Sequence, residues 1–531
     1  MTGVQTCALP IYRLKWDEAL AVQLSLAQLR EAEQAHPAPV CPPREGGVRA
    51  AFDERLPFDL TAGQREVGEH LAADLAQRRP MNRLVQGEVG SGKTLVALRA
   101  MLQAVDAGRQ AAMLAPTEVL AAQHARSLRE LLGDLGNAGE LGADERATRV
   151  ALLTGSMPTA QRRRAMLEAA SGEAGIVVGT HALIQDRVSF ADLGMVVVDE
   201  QHRFGVEQRD ALRARAGGEV SPHVLVMTAT PIPRTVAMTV YGDLETSALR
   251  ELPHGRSPIS TSVVPVAEKP AWLDRAWQRV REEVAAGHQV YVVCPRIGDD
   301  DGANGAQAGP EDGEEPPDGE DEKGGQQRQP VSVLEMVERL RAGPLSDVRV
   351  AALHGRLPAE DKDEVMRGFA AGEVDVLVAT TVVEVGVNVP NATAMVIMDA
   401  DRFGVSQLHQ LRGRVGRGSA PGLCLLVSEA VGGTTTRERL DAVASTTDGF
   451  ELARLDLELR REGDVLGASQ SGKRSGLKLL SLLRDEDVIA EARRRAEEVV
   501  AADPQLGEHP GLAAMVSEVV DSERAGYLEK S

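Results

Sequence analysis

The chain has 531 residues, enough for about three domains, and its 43% hydrophobic and 26% charged residues are ordinary for a globular protein. Its 59 Lys plus Arg stand against 79 Asp plus Glu, and the net charge of −20 excludes a broad basic face for gripping phosphate backbones. No run of about 18 apolar residues occurs, which argues against a membrane-spanning helix.

Residues 1–11 read as part of no element. A helical pattern follows, marked by Leu14, Ala19, Leu20, Leu24, Leu26 and Leu29, and then a Pro- and Gly-bearing linker over 37–47. From about 56 to 245, candidate strands at 83–86, 111–115, 151–153, 175–178, 195–198 and 223–227 alternate with Ala/Leu-rich helical runs. Fully apolar strands between amphipathic helices predict a buried, mostly parallel sheet. A second such stretch spans about 260 to 430, with strands at 290–294, 348–353, 374–379, 394–398 and 422–427.

Residues 298–330 interrupt this second stretch. They hold 11 acidic residues, one Lys and one Arg, and no apolar residue larger than Ala except Pro. Such a segment buries too little to offset its chain entropy, so it reads as a disordered surface-loop insertion. Its removal (299–328) should leave the activity of the remaining chain intact. From 431 onward helical patterns dominate. The expected organisation is therefore a tail, helix and linker (1–46), a first lobe (47–255), a second lobe (256–430) and a helical C-terminal region (431–531).

Cysteines stand at 7, 41, 294 and 424, with no Cys-x-x-Cys pair, so neither a disulfide framework nor a zinc site is indicated and a reducing cytoplasm fits. No secretory signal pattern opens the chain. The 3 Trp, 4 Tyr and 7 Phe are too few for a stacking platform on single strands.

The strongest chemical signal is Gly87-Glu88-Val89-Gly90-Ser91-Gly92-Lys93-Thr94, which follows a predicted strand and opens a predicted helix. That is the context of a P-loop. Glycines let backbone N–H groups curl around phosphate oxygens, Lys93 supplies a point charge to the β/γ-phosphates, and Thr94 is the expected Mg2+ ligand at a helix N-terminus. ATP and Mg2+ are the cofactors this predicts. A second signal is the apolar strand ending in Asp199-Glu200-Gln201-His202. Ligands of open α/β sheets bind outside such strand ends. Asp199 is placed to hold Mg2+ through its water shell, and Glu200 to orient and deprotonate the attacking water.

Further motifs narrow the class. Thr228-Ala229-Thr230 follows another apolar strand, Leu353-His354-Gly355-Arg356 ends one in the second lobe, and the stretch from Ala379 through Glu384, Gly386 and Asn388 to Pro390 follows the next. In the run from Gln407 to Gly418, Arg412, Arg414 and Arg417 are spaced to place guanidinium groups in a cleft between lobes, as an arginine finger requires.

This ordered set resembles the superfamily-two helicases and translocases, and more narrowly the RecG family of bacterial ATP-dependent DNA helicases. The resemblance covers about residues 13–500. It implies an α/β fold of two tandem RecA-like P-loop lobes with mostly parallel sheets, followed by a small helical C-terminal region. It implies ATP-driven remodelling of stalled replication forks and branched DNA (fork regression and Holliday-junction processing in repair and recombination). The catalytic set is Lys93, Asp199, Glu200, Arg414 and Arg417. Gln64 matches an adenine-reading glutamine, and Gly87, Gly90, Ser91, Gly92, Lys93, Thr94 and Asn388 complete the nucleotide set. Pro116, Thr117, Gly179, Thr180, His354, Gly355, Thr380 and Thr381 match motifs that face the DNA backbone, and Thr228 and Thr230 match the segment coupling hydrolysis to lobe closure. The runs Ser445-Thr446-Thr447-Asp448-Gly449-Phe450, Asp456 to Arg460 and Gln470-Ser471-Gly472 resemble the family's translocation element. Implied partners are forked or branched duplex DNA and a single-strand-binding protein, with no membrane, for a monomer in the bacterial cytoplasm at the nucleoid.

Departures from the family pattern are also legible. Asn388 stands where the family has Asp at a ribose contact. Arg461-Glu462 replaces Gly-Pro, and Ala468-Ser469 replaces Thr-Arg. The family's N-terminal wedge domain has no counterpart in the sequence as given, so weak, salt-sensitive DNA binding and poor fork unwinding are expected. Alternative readings are a duplex translocase like the transcription-repair coupling factor, or a catalytically idle DNA-binding fragment. Gln201 and Ser91 favour the RecG family over the coupling factor, whose motifs carry Glu and an aromatic there.

Overall fold

The computed structural model describes the chain except residues 1–4, 181–182, 184–187, 200–219, 230–243, 252–257, 299–329, 382–388, 419, 460–478, 482–483 and 519–531. It divides into two units, Met1–Pro253 with Gly472–Ser531, and His254–Ser471.

Unit 1 is built on seven parallel strands: β1 (Asn82–Gly87), β2 (Gln110–Leu114), β3 (Val150–Leu153), β4 (Ile176–Gly179), β5 (Leu193–Asp199), β6 (His223–Thr228) and β7 (Glu245–Leu249), in the order β3-β4-β2-β5-β6-β1-β7. Side chains alternate across the sheet. Val85, Met113 and Val197 join one core with α3 (Ala62–Leu75), α4 (Lys93–Asp106) and α5 (Glu118–Leu132), which contribute Leu71, Met101 and Leu128. Leu84, Ala112 and Val196 join a second core on the other face with Ala165 and Ala169 of α6 (Thr159–Ser171). Both faces are covered, which is why the strands read as apolar runs.

At the start of the chain, α1 spans Gln5–Gln34, so it begins inside the stretch expected to lack structure. A single Pro10 weakens one turn but does not stop a helix of this length. A short α2 (Val48–Arg55) follows the linker. Leu24 and Ala27 of α1 pack on Ala496 and Val500 of the last long helix, Glu486–Ala502. Lys15 pairs with Asp485 at 2.7 Å and Arg30 with Glu497 at 2.8 Å.

Unit 2 has six parallel strands: β8 (Ile259–Pro265), β9 (Gln289–Val293), β10 (Val350–Leu353), β11 (Val376–Ala379), β12 (Ala392–Ile397) and β13 (Gly422–Ser428), in the order β10-β11-β9-β12-β13-β8. Its helices are α7 (Ala271–Ala285), α8 (Val333–Ala342), α9 (Ala359–Ala370), α10 (Val405–Arg412), α11 (Thr435–Ser445) and α12 (Gly449–Leu459), and the Glu486–Ala502 helix is α13. Leu440 and Val443 of α11 and Leu452 of α12 complete the unit 2 core. The stretch 431–531 is therefore shared: α11 and α12 bury their apolar faces in unit 2, and α13 buries its face against α1 in unit 1.

All eleven expected strands are present. Two were not expected, β7 and β8, and both lie at a sheet edge. Their sequences, Glu-Thr-Ser-Ala-Leu and Ile-Ser-Thr-Ser-Val-Val-Pro, carry polar residues because an edge strand is only partly covered.

The acidic insertion 298–330 falls almost wholly outside the described residues, but the chain on either side of it meets. Arg296 bridges to Ser332, and the N–H of Val333 donates to the Arg296 carbonyl at 2.8 Å. The flanks thus close a loop within one unit.

One sequence relation emerges from the paired architectures. The segments β3–α6–β4 and β10–α9–β11 lie two hundred residues apart without a gap, sharing Leu153/Leu353, Gly155/Gly355, Pro158/Pro358, Met166/Met366, Gly172/Gly372, Glu173/Glu373 and Thr180/Thr380. Each pair of strands sits at one edge of its sheet.

Candidate active site

Because all strands of unit 1 are parallel, their C-terminal ends collect along one edge. In spatial order this edge carries Thr154 after β3, Gly179 and Thr180 at β4, Pro116 and Thr117 after β2, Asp199 at β5, Thr228 at β6 and the 87–94 turn after β1. The residues expected to face DNA occupy the β4–β2 side. Those expected to handle nucleotide occupy the β5–β6–β1 side. In unit 2, His354 and Gly355 after β10 and Thr380 and Thr381 after β11 likewise share one edge.

The β1–α4 turn has the geometry its glycines predict. Gly90 and Gly92 adopt φ of +87° and +88°, a region that penalises any side chain. Lys93 folds back over the loop, and its Nζ donates to the carbonyls of Gly87 at 2.6 Å and Glu88 at 2.9 Å. Gln64 sits beneath. Its Oε1 accepts from Thr61 N, its own N–H donates to Thr61 Oγ1, and its Nε2 donates to Ser91 O at 2.9 Å. A Cβ on Gly92 would lie 2.3 Å from that Nε2. The expected adenine reader is thus also a capping-box residue and a strut under the phosphate loop.

Asp199 ends β5 two strands from β1, with Thr228 of β6 between them and fully buried. The Asp199 Oδ2 accepts from Nε2 of His124 at 2.6 Å. Among the described residues no group of three or more His, Cys, Asp or Glu could hold a metal. The expected Mg2+ residues, Thr94 and Asp199, offer one hydroxyl and one carboxylate. Hard oxygen donors of this kind fit Mg2+. Glu200, Thr230 and Asn388 lie outside the described residues.

On the β4–β2 side, Thr117 caps α5, its hydroxyl accepting from Leu120 N at 3.3 Å. The next residue, Glu118, accepts from the N–H groups of Gly155 at 2.8 Å and Ser156 at 3.1 Å, and also from the Ser156 hydroxyl. Gly179 packs so tightly that a Cβ would meet the Leu153 carbonyl at 2.2 Å. In unit 2 the Lys362 Nζ donates to Gly355 O at 2.7 Å. Burial, with Arg356 and Lys362 nearby, holds the His354 imidazole below its usual pKa, so it is neutral at pH 7. Thr380 is buried, its N–H reaching the Leu353 carbonyl.

The three arginines of 412–417 do not act alike. Arg412 is 2% exposed and donates to the carbonyls of Val443 and Thr446, and it also contacts His409 Nδ1. It holds α10 to α11 inside unit 2, so it cannot present its guanidinium in a cleft, as its spacing suggested. Arg414 and Arg417 are only partly covered, and Arg417 Nε donates to Gly413 O at 3.1 Å. Both lie close enough to the buried Tyr291 to oppose the burial that pushes its hydroxyl up to about 12.

Motif reading passed over two features. The Thr154-Gly155-Ser156 turn lies at the β3–β4 end of the same strand-end edge, and the two-hundred-residue repeat would have found it from His354-Gly355-Arg356. His124 could not have been found, because its contact joins residues 75 positions apart.

Comparison with known proteins matches this geometry. Residues 61–239 match the DEAD/DEAH box helicase family model, 326–419 match the helicase conserved C-terminal domain, and 446–523 match the model for ATP-dependent DNA helicase RecG, domain 3, C-terminal. The ATP-dependent DNA helicase RecG of Mycobacterium leprae is 56% identical over 525 residues, covering 98% of this chain and 68% of that protein. The Bacillus subtilis protein of the same name is 41% identical, covering 96% of this chain and 68% of its own. A solved structure of RecG bound to a three-way DNA junction superposes with a TM-score of 0.67 at 36% identity, covering 90% of this chain and 57% of that one. Among the described residues no helix is long and apolar enough to cross a membrane. The chain belongs to the RecG family of ATP-dependent DNA helicases.

Proposed function

We propose that this chain hydrolyses ATP at the β5–β6–β1 edge of unit 1 and uses the cycle to move along and remodel branched duplex DNA, as at forks and Holliday junctions. The observation that carries the reading is the β1–α4 turn, with two left-handed glycines and Lys93 already folded over its carbonyls. A phosphate arriving there meets the N–H groups of the turn, and Lys93 exchanges its carbonyl partners for phosphate oxygens, which sets an ammonium where charge develops. Lys93 binds the β/γ-phosphates. Thr94 and Asp199 hold Mg2+, which when bound neutralises charge developing on the transferring phosphoryl group. Glu200 orients and deprotonates the attacking water. Arg414 and Arg417 contribute positive charge to the same nucleotide, Gln64 reads its base, and Asn388 hydrogen-bonds its ribose.

DNA is taken by the other half of each strand-end edge: Pro116, Thr117, Gly179 and Thr180 in unit 1, and His354, Gly355, Thr380 and Thr381 in unit 2. These are backbone and hydroxyl groups, which grip phosphates without registering in net charge. Thr228 and Thr230 link the two halves. The likeness to RecG on a three-way junction supports branched DNA as substrate. A monomer at the nucleoid, in contact with a single-strand-binding protein, completes the reading. The coupling-factor alternative is not favoured, since the likeness spanning nearly all of this chain is to RecG proteins.

The test is ATP hydrolysis by the purified chain with and without a synthetic fork. Turnover stimulated by the fork over linear duplex is the expected result. Absence of turnover in both would establish the idle-fragment reading instead.

A further inference from the structure

Asp199 owes its orientation to a residue from another element. His124 lies in the middle of α5, and its Nε2 meets the Asp199 carboxylate at 2.6 Å, with both side chains largely covered (13% and 14% exposed). A carboxylate can only accept here, so Nε2–H donates. The bond engages Oδ2, which assigns Oδ1 to a metal's water shell. Buried donors that fix a metal-side carboxylate in this way set its rotamer and its basicity.

The helix that carries His124 is itself held at both flanks. Ala121, Ala125 and Leu128 are fully buried against the sheet, so α5 cannot rotate without opening the core. Its N-cap is Thr117 and its first residue is Glu118, which clamps the Gly155–Ser156 turn. The β2 strand leading into it is hydrogen-bonded to β5, with Leu114 beside Val198. One rigid helix therefore begins at the DNA-side edge and, about two turns later, holds the carboxylate of the nucleotide side.

We propose that His124 is a positioning residue for the Mg2+ site, holding Asp199 in its ligating rotamer and tying that carboxylate through α5 to the Pro116–Thr117 edge. The proposal rests on the reading of Asp199 as the Mg2+-side carboxylate. The test titrates Mg2+ against the full chain bound to a fluorescent ATP analogue, reading the Mg2+ concentration that half-saturates the signal, with melting temperature as a check on folding. His124→Ala and the nearly isosteric His124→Leu should each raise that concentration by about tenfold or more, the usual loss on removing such a partner. His124→Gln, whose Nε2 can donate from a similar position, should return it to within about threefold of the starting chain. Asp199→Ala supplies the control. If Asp199→Ala weakens the Mg2+ response and both His124 removals leave it unchanged, the positioning role is refuted while the site reading stands. If Asp199→Ala itself leaves the response unchanged, the site reading fails and the proposal with it. A gain that Gln fails to restore, accompanied by a matching drop in melting temperature, would reduce His124 to a packing residue.

Discussion

The turn from β1 to α4 in unit 1 and the turn from β8 to α7 in unit 2 occupy the same slot. In each sheet the strand lies beside the partner of the central strands, β6 or β13, and runs through a short turn into a helix. The first turn is Glu88-Val89-Gly90-Ser91-Gly92. The second is Val266-Ala267-Glu268-Lys269-Pro270, with no glycine. Its N–H groups cannot curl into a cradle, and Glu268 points a carboxylate at Gly432 N, 2.7 Å away. Its lysine is occupied differently too, with Nζ 4.2 Å from the Trp272 ring centre. The comparison teaches that the fold supplies a place for a phosphate, and that five residues decide whether it is used.

The sharpest way to break this comparison is to neutralise the lysine of each turn. Lys93→Ala should lower fork-stimulated ATP turnover by about 100-fold or more, since phosphate charge goes uncompensated in the transition state. Lys269→Ala should leave turnover within about twofold. Equal losses in steady-state hydrolysis would show that the two slots are not different in kind.

Glycine conformation offers a second test. Gly92→Ala places a Cβ against Gln64 and forces an unfavourable φ, a penalty of about 1–2 kcal/mol before the clash is counted. A drop of at least tenfold in affinity for an ATP analogue is expected, read by fluorescence titration. Outside the turns, the repeat predicts parity. Gly172 and Gly372 follow α6 and α9 at φ of +80° and +77°, and alanine at either should cost about 1 kcal/mol of stability, seen only as a small fall in melting temperature.

A pH effect separates the units further. His223 at the start of β6 is fully buried, accepting from Met81 N at 3.0 Å through Nδ1 and donating to Pro39 O at 2.7 Å through Nε2. Accepting at Nδ1 requires the neutral ring, and burial lowers its pKa below the ordinary 6.5, outweighing the Pro39 bond, which favours the charged form. Its contribution is therefore complete above pH 6.5. As pH falls below 6.5 the unfolded chain takes up the proton first, and stability declines by up to about 1.4 kcal/mol per pH unit until the folded value is reached. His223→Gln should flatten the fall in melting temperature between pH 6.5 and 5, and it should do so for the unit 1 transition alone.

How much of this was legible depended on what each element buries. Strands covered on both faces, such as Met195 to Val198, announce themselves as apolar runs, and the 87–94 turn announces itself through glycines that have no other use. The edge strands β7 and β8 did not, because half-covered strands tolerate Ser and Thr. Arg412, Arg414 and Arg417 look alike in sequence. Which one turns inward is settled by carbonyls of Val443 and Thr446 more than thirty residues later. The same holds for Asp199, whose two oxygens become distinct only when α5 brings His124 beside one of them.

The pairing of α1 with α13 has a consequence for the order of synthesis. Ala496 and Val500, which cover Leu24 and Ala27, leave the ribosome more than 460 residues after them. At about 5–20 residues per second that interval is roughly 25 s or longer. Throughout it, unit 2 is made and can close its own core while α1 still lacks its cover. The second unit is thus able to finish before the first, and α1 stays open to a chaperone or protease for the whole of that interval.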